Sequence, residues 1–319
     1  MDTHYSNYGM PYPYHLDYIK TGRIKEYDPH MDKSDLMIMT GASANHFVCS
    51  LNCMLSFISA LPHSSFLFID YGLPKQDICY LSNAFRLIHD YHLAWNSTAF
   101  IYYRVYNWSV FPHWMHMDAT NHGGYTWKPI CIRDALYEWK AVVMWNDAGN
   151  QFRELALRGL SLVKQDGVYI SKDVSHFTGR FHPLSYQFLR EHGLVKPFDW
   201  SSRMGIAAYM LFDYRNEHTR QRILVPWFQC AFTRKCMALI GIPKRYHLPE
   251  QAILSSIMLA NNISSFQATS YRPLFWKDKY YQSVNSSIVY DLVRSFSSNM
   301  KKEYPVDYLL RGCEMHVLS

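Results

Sequence analysis

The chain has 319 residues, 49% hydrophobic and 18% charged, enough apolar material for a sizeable core and too little charge for a disordered tail. Lysine and arginine number 32 against 26 acids, and this excess of six is scattered along the chain rather than gathered in runs, which argues against a nucleic-acid partner. No run of about 18 apolar residues occurs, and the N-terminus is rich in Tyr and Pro rather than basic-then-apolar, so neither a membrane span nor a signal peptide is expected.

Residues 1–33 lack periodicity and read as an extended arm. Residues 34–40 (SDLMIMT) form an apolar run that ends in Gly41-Ala42-Ser43, the pattern of a buried strand entering a tight turn. Phe47, Leu51, Met54, Leu55 and Ile58 then recur at helical spacing until Pro62. A second strand spans 65–70 (SFLFID), stopping at Asp70 and the turn Tyr71-Gly72-Leu73, and a second helix carries Ile78, Leu81, Phe85 and Ile88. A third β-rich run covers 98–105 (TAFIYYRV), and an irregular stretch follows to about His122. Pro129 is placed to open a third helix, where its missing N–H costs nothing. A continuous apolar strand over 141–145 (AVVMW) breaks at Asn146-Asp147-Ala148-Gly149.

Four strands alternating with three helices predict an α/β fold with a mostly parallel sheet covered on both faces. Ligands of such sheets bind outside the carboxyl ends of the strands, which directs attention to 40–43, 70–73 and 146–149. Beyond residue 150 the pattern loosens. Helices are expected near 155–163, 183–194 and 248–260, and strands near 167–170 and 206–213. The predicted organisation is an arm (1–33), a Rossmann-like nucleotide-binding half (34–150) and a mixed α+β half that binds the substrate (151–319).

Asp147, released at the end of a strand before two small residues, is placed to meet a metal ion or a diphosphate, or else simply begins a solvated turn. Lys128, near a helix N-terminus, is placed for phosphate, or for the surface beside a packing Trp127. The small residues Thr40, Ala42 and Ser43 allow a nucleotide's base and ribose close to the backbone. The stretch 244–251 brings two cations, His247 and Glu250 beside a helix start, fit for metal binding or acid/base work and equally for an ordinary loop. There is no G-x-G-x-x-G after the first strand, no P-loop, no G-x-S-x-G elbow and no H-E-x-x-H, which disfavours dinucleotide oxidoreductases, P-loop enzymes, α/β-hydrolases and zinc proteases. Of the seven cysteines, Cys49 and Cys53 read as buried on one helix face, while Cys230 and Cys236 have a spacing that a small disulfide loop closes. Asn-x-Ser/Thr sequons occur at Asn96, Asn107, Asn262 and Asn285, usable only in a secretory compartment.

Taken together, T-G-A-S-A-N-H-F (40–47), D-Y-G-L (70–73), Y-T-W-K-P (125–129), W-N-D-A-G (145–149) and H-L-P-E-Q (247–251) resemble, in order and approximate spacing, an uncharacterised eukaryotic family of nucleotide-diphospho-sugar transferase type with a GT-A-like fold. The resemblance covers about residues 35–260. It implies a glycosyltransferase that takes a nucleotide-diphosphate sugar as donor and a glycan or glycoprotein hydroxyl as acceptor, assisted by Mn2+ or Mg2+. Thr40, Ala42, Ser43, Asp70, Lys128, Trp145 and His247 would bind the nucleotide-sugar. Asp147 and His247 would hold the metal, and Glu250 or Asp173 would serve as base. The family's acid-x-acid metal motif is reduced here, because position 145 is Trp. Trp127, Trp145 and Trp227 are candidates for a sugar-stacking wall. The alternatives are a catalytically inactive relative that binds glycans or proteins and, more distantly, another α/β transferase such as a methyltransferase. The resemblance implies a Golgi lumenal or secretory setting; a chain complete as given implies the cytoplasm.

Overall fold

The computed structural model describes residues 14–15, 35–106, 108–117, 120–152, 156–239, 241, 248–263, 294, 300, 309 and 313, with backbone alone at 14–15, 120–121 and 173–174. Seven strands form one sheet in the order β1-β4-β3-β2-β5-β7-β6. They are β1 (Tyr14–His15), β2 (Leu36–Ala42), β3 (Ser65–Asp70), β4 (Ile101–Tyr106), β5 (Val142–Asn146), β6 (Val168–His176) and β7 (Arg203–Asp213). β4, β3, β2 and β5 run parallel, as the continuous apolar runs require. β7 pairs antiparallel with β5, and β6 antiparallel with β7. The C-terminal half is therefore mixed, as expected, but it completes the same sheet rather than building a second one.

Alternation along the strands sorts side chains to the two faces. Ile38, Phe66, Phe68 and Met144 face one core, roofed by α1 (Phe47–Ala60), α2 (Lys75–Ala94) and α4 (Ala156–Asp166). Met37, Met39, Val143 and Trp145 face the other, covered by α3 (Trp127–Trp139), α5 (Pro183–Glu191), α6 (Val225–Ala231) and α7 (Pro249–Ala260). Each strand of the parallel set thus has apolar side chains above and below, which gives three layers.

Several boundaries differ from the sequence reading. β4 begins at Ile101 rather than 98, and β6 extends to His176 because irregular register lets it continue past Lys172 along β7. α3 starts at Trp127, so Pro129 is its third residue and Lys128 lies inside the first turn instead of ahead of the helix. Of the arm, Tyr14 and His15 pair with Tyr106 and Val105 along the outer edge of β4. Cys230 and Cys236 are bridged, and Cys79 is bridged to Cys313. Cys49 and Cys53 are both buried on α1, as expected.

Candidate active site

β2 connects leftward to β3, whereas β5 lies on the right of β2, so the chain reverses its direction of travel between these two strands. A crevice forms at such a switch point. Here it is a pocket of about 740 Å³. Its walls come from the carboxyl ends of β2 (Gly41, Ala42, Ser43) and β5 (Trp145, Asp147, Ala148), from Lys128 and Trp127 of α3, and from the 108–125 connection.

Lys128 is the centre of the charge arrangement. Its side chain is 4% exposed, and its ammonium lies 2.9 Å from Asp147 Oδ1 and 3.6 Å from Glu250 Oε1 while donating to the Ala207 carbonyl at 3.1 Å. The rings of Trp127 and Trp145 stand 5.6 and 5.7 Å from it, close enough for their π faces to favour a cation. Burial works against the charged amine, but the two carboxylates, Asp147 first, outweigh it and raise Lys128 above the ordinary lysine range. The amine therefore stays charged through neutral and mildly alkaline pH. The Trp145 indole N–H donates to Asp147 Oδ1 at 2.8 Å and fixes that carboxylate at the pocket rim. The Asp147 side chain is 38% exposed.

Glu250 opens α7 and is buried; burial, reinforced by the charge of Asp147, pushes its carboxyl up, with Lys128 partly opposing. It is not among the residues lining the pocket, and its Oε2 has no hydrogen-bond partner among the described residues. Glu250 thus stands behind the lysine, outside the pocket lining. Gln251 beside it accepts from the Ala207 N–H, which ties α7 to the start of β7.

The 108–125 connection supplies what the sequence reading missed: Trp108, His116, Met117, His122 and Tyr125 all line the pocket. His122, Gly123, Gly124 and Tyr125 take φ of 51°, 60°, 62° and 59°, four consecutive residues in the left-handed region. Such a run is costly for residues bearing a Cβ. The His122 ring donates to the Met117 carbonyl at 3.2 Å, and the Thr126 hydroxyl to that of Met115 at 3.3 Å, so local bonds tie the turn down. It delivers Tyr125 and Trp127 to the mouth; Tyr71 packs against Trp127 at 4.8 Å between ring centroids and extends the aromatic wall. The Gly-Gly pair was the one available signal for positive φ.

The remaining expected residues divide clearly. Ala42, Ser43, Lys128, Trp145 and Asp147 gather at the pocket. Thr40 lies beneath it, fully buried, donating its hydroxyl to the Asn146 carbonyl at 2.8 Å and so locking β2 to the end of β5. Asp70 does not join them: one oxygen accepts the Gly72 and Leu73 N–H groups at 2.6 and 2.7 Å, the other is bonded by the Tyr103 hydroxyl, and the carboxylate is occupied in shaping its own turn. Trp227 is fully buried under α7, its indole donating to the Glu250 carbonyl at 3.2 Å, outside the pocket lining. His247 lies outside the described residues, and Asp173 falls in β6 with its side chain outside them.

A divalent cation needs several oxygen or nitrogen ligands. Among the described residues no group of three or more His, Cys, Asp or Glu side chains gathers to hold one. The Asp147 oxygen nearest the cluster already meets both an indole N–H and an ammonium. These residues alone do not fit a metal site.

Gly41 closes the floor. A Cβ there would stand 2.4 Å from the Tyr71 ring and 3.1 Å from Ile69 Cβ. Gly41→Val is expected to displace Tyr71 and to lose about 1–3 kcal/mol from overpacking; a melting curve checks this.

An α/β protein with a mixed sheet and its pocket at the switch point is the class that fold and site define. No protein-family model matches the chain, and no curated protein does. Among solved structures it is similar to the bifunctional glycosyltransferase WbbM, with 12% identity and a TM-score of 0.42 over 86% of this chain; it spans 46% of that protein's chain. It is also similar to core-mannan synthase A of Aspergillus fumigatus in its Mn/GDP form (7% identity, TM-score 0.42, 86% of this chain and 87% of that one). The galactosyltransferase LgtC with donor and acceptor sugar analogues shows 14% identity and a TM-score of 0.40, over 85% of this chain and 84% of that one.

Proposed function

We propose that the chain is a glycosyltransferase that moves a sugar from a nucleotide-diphosphate donor to a hydroxyl of a glycan or glycoprotein. The observation that carries this reading is the buried Lys128 ammonium, held 2.9 Å from Asp147 on the wall of a pocket at the β2–β5 crevice. Sugar transfer breaks the bond between the anomeric carbon and the diphosphate oxygen, and negative charge grows on the departing diphosphate. A preorganised cation in a site with aromatic walls stabilises that charge without paying to reorganise solvent. Glu250 and the Ala207 carbonyl hold the ammonium in place, Ala42 and Ser43 leave room for the nucleoside against the backbone, and Trp127 with Tyr125 offers faces for the sugar. The acceptor hydroxyl attacks the anomeric carbon from the open mouth, the bond to the diphosphate breaks with its electron pair, and the hydroxyl proton passes to the departing diphosphate.

Release of UDP or GDP from a panel of nucleotide-sugars, measured with and without Mn2+, tests the reading. Asp147→Asn is expected to lower that release about tenfold to a hundredfold while the protein stays folded. A folded wild-type protein that binds nucleotide and cleaves no donor would instead establish the inactive binding module.

A further inference from the structure

We propose that Asn96 and Asn262 each carry an N-linked glycan. The inference is independent of the transferase reading. Both residues are exposed and occupy the same structural position, one residue past the C-cap of a helix: Asn96 after α2 and Asn262 after α7. Both are left-handed, with φ of 49° and 52°. In each, two backbone bonds close the helix end in the Schellman pattern: Asn96 and Ser97 N–H donate to Leu93 and His92 carbonyls at 3.2 and 2.8 Å, and Asn262 and Ile263 N–H to Leu259 and Met258 at 3.1 and 3.3 Å. The motif satisfies the backbone around each asparagine and leaves the residue exposed. Glycine is the residue that this position accepts most readily. Both helices instead end in an asparagine that begins a sequon, Asn96-Ser97-Thr98 and Asn262-Ile263-Ser264.

The second, separate observation is redox. Four of the seven cysteines are joined, Cys79 to Cys313 across 234 residues and Cys230 to Cys236 across six, with Cα separations of 5.7 and 5.4 Å. Two disulfides in one chain belong to an oxidising compartment, and that compartment is where sequons are modified. The donor is an oligosaccharide on a polyprenyl diphosphate. The asparagine amide nitrogen bonds to its anomeric carbon, the carbon–oxygen bond to the diphosphate breaks with its electron pair, and the amide proton passes to a base of the transferring enzyme.

Peptide mapping of the full-length protein isolated from its own cells tests this. Unreduced material is alkylated, then treated with an amidase that removes N-glycans in heavy-oxygen water. The expected result is heavy-oxygen aspartate at positions 96 and 262, with Cys79, Cys230, Cys236 and Cys313 protected from alkylation. Recovery of both positions as unmodified asparagine overturns the proposal; occupancy at one overturns it for the other. Thr98→Ala and Asn96→Gly, expressed in the same cells, are each expected to abolish modification at position 96 with an unchanged melting temperature. Persistence of the modification in either variant shows that it is not an N-glycan at this sequon.

Discussion

Lys128→Met is expected to lower donor cleavage by about 10²–10³-fold, the loss seen when one preorganised group facing a developing oxyanion is removed. Methionine keeps the length and apolar stem of the side chain, so the Trp127–Trp145 wall stays packed. Stability falls as well. The ammonium is what compensates Glu250, buried with one oxygen already unpartnered, and removing one member of a buried ion pair costs about 3–5 kcal/mol. The two effects separate in the double variant. Lys128→Met with Glu250→Gln removes both buried charges, so the thermal midpoint should recover most of the loss while cleavage stays as low as in the single variant. A double variant that regained cleavage would refute the role given to the amine. Chemical denaturation and nucleotide-release assays on the three proteins make the measurement.

The second large effect is expected at the left-handed turn. Ala at position 123 would put its Cβ 2.5 Å from the Met115 carbonyl oxygen and 2.6 Å from its carbon, and Ala at 124 would stand 2.8 Å from the Met237 carbonyl oxygen. These neighbours are backbone and cannot swing aside. The left-handed conformation costs about 1–2 kcal/mol for a residue with a Cβ, and overpacking adds about 1–3 kcal/mol. Gly123→Ala and Gly124→Ala are each expected to lose about 2–5 kcal/mol and to weaken nucleotide binding, because Tyr125 and Trp127 follow directly. Gly179→Ala is the control: nothing lies within 4 Å of that site and φ is not positive, so its melting curve should match the wild type.

The parallel part of the fold was readable because each of its strands is a continuous apolar run bounded by a turn, and each covering helix repeats its apolar residues at helical spacing. The same logic exposed Asp147 and Lys128, since strand ends and helix starts are where polar groups leave the core. Two things were hidden. The 108–125 connection has no period to detect: its short 3-10 turns and left-handed residues follow from local bonds and from contacts with distant carbonyls such as Met237, and the aromatic and histidine side chains there look the same whether they line a pocket or a surface. Strand order was hidden too, because nothing in 203–213 states that β7 slides in antiparallel beside β5. That placement decides the fate of Glu250. As a sequence neighbour of a histidine it looked like a base; carried by α7 against the start of β7, it becomes a buttress for the lysine. Asp70 misled for the opposite reason, since an acid at a strand end serves equally to cap its own turn.

Because β7 runs against its neighbour, residues 203–207 arrive where the parallel strands finish. The Ala207 carbonyl meets Lys128 across 79 positions of sequence, and Glu250 comes from farther still. The amine is therefore seated only when three remote stretches have all docked. A chain halted after the first four helices would own the crevice and Asp147 yet lack the Ala207 and Glu250 contacts, so the seat of the amine is complete only once the last strand and helix are in place.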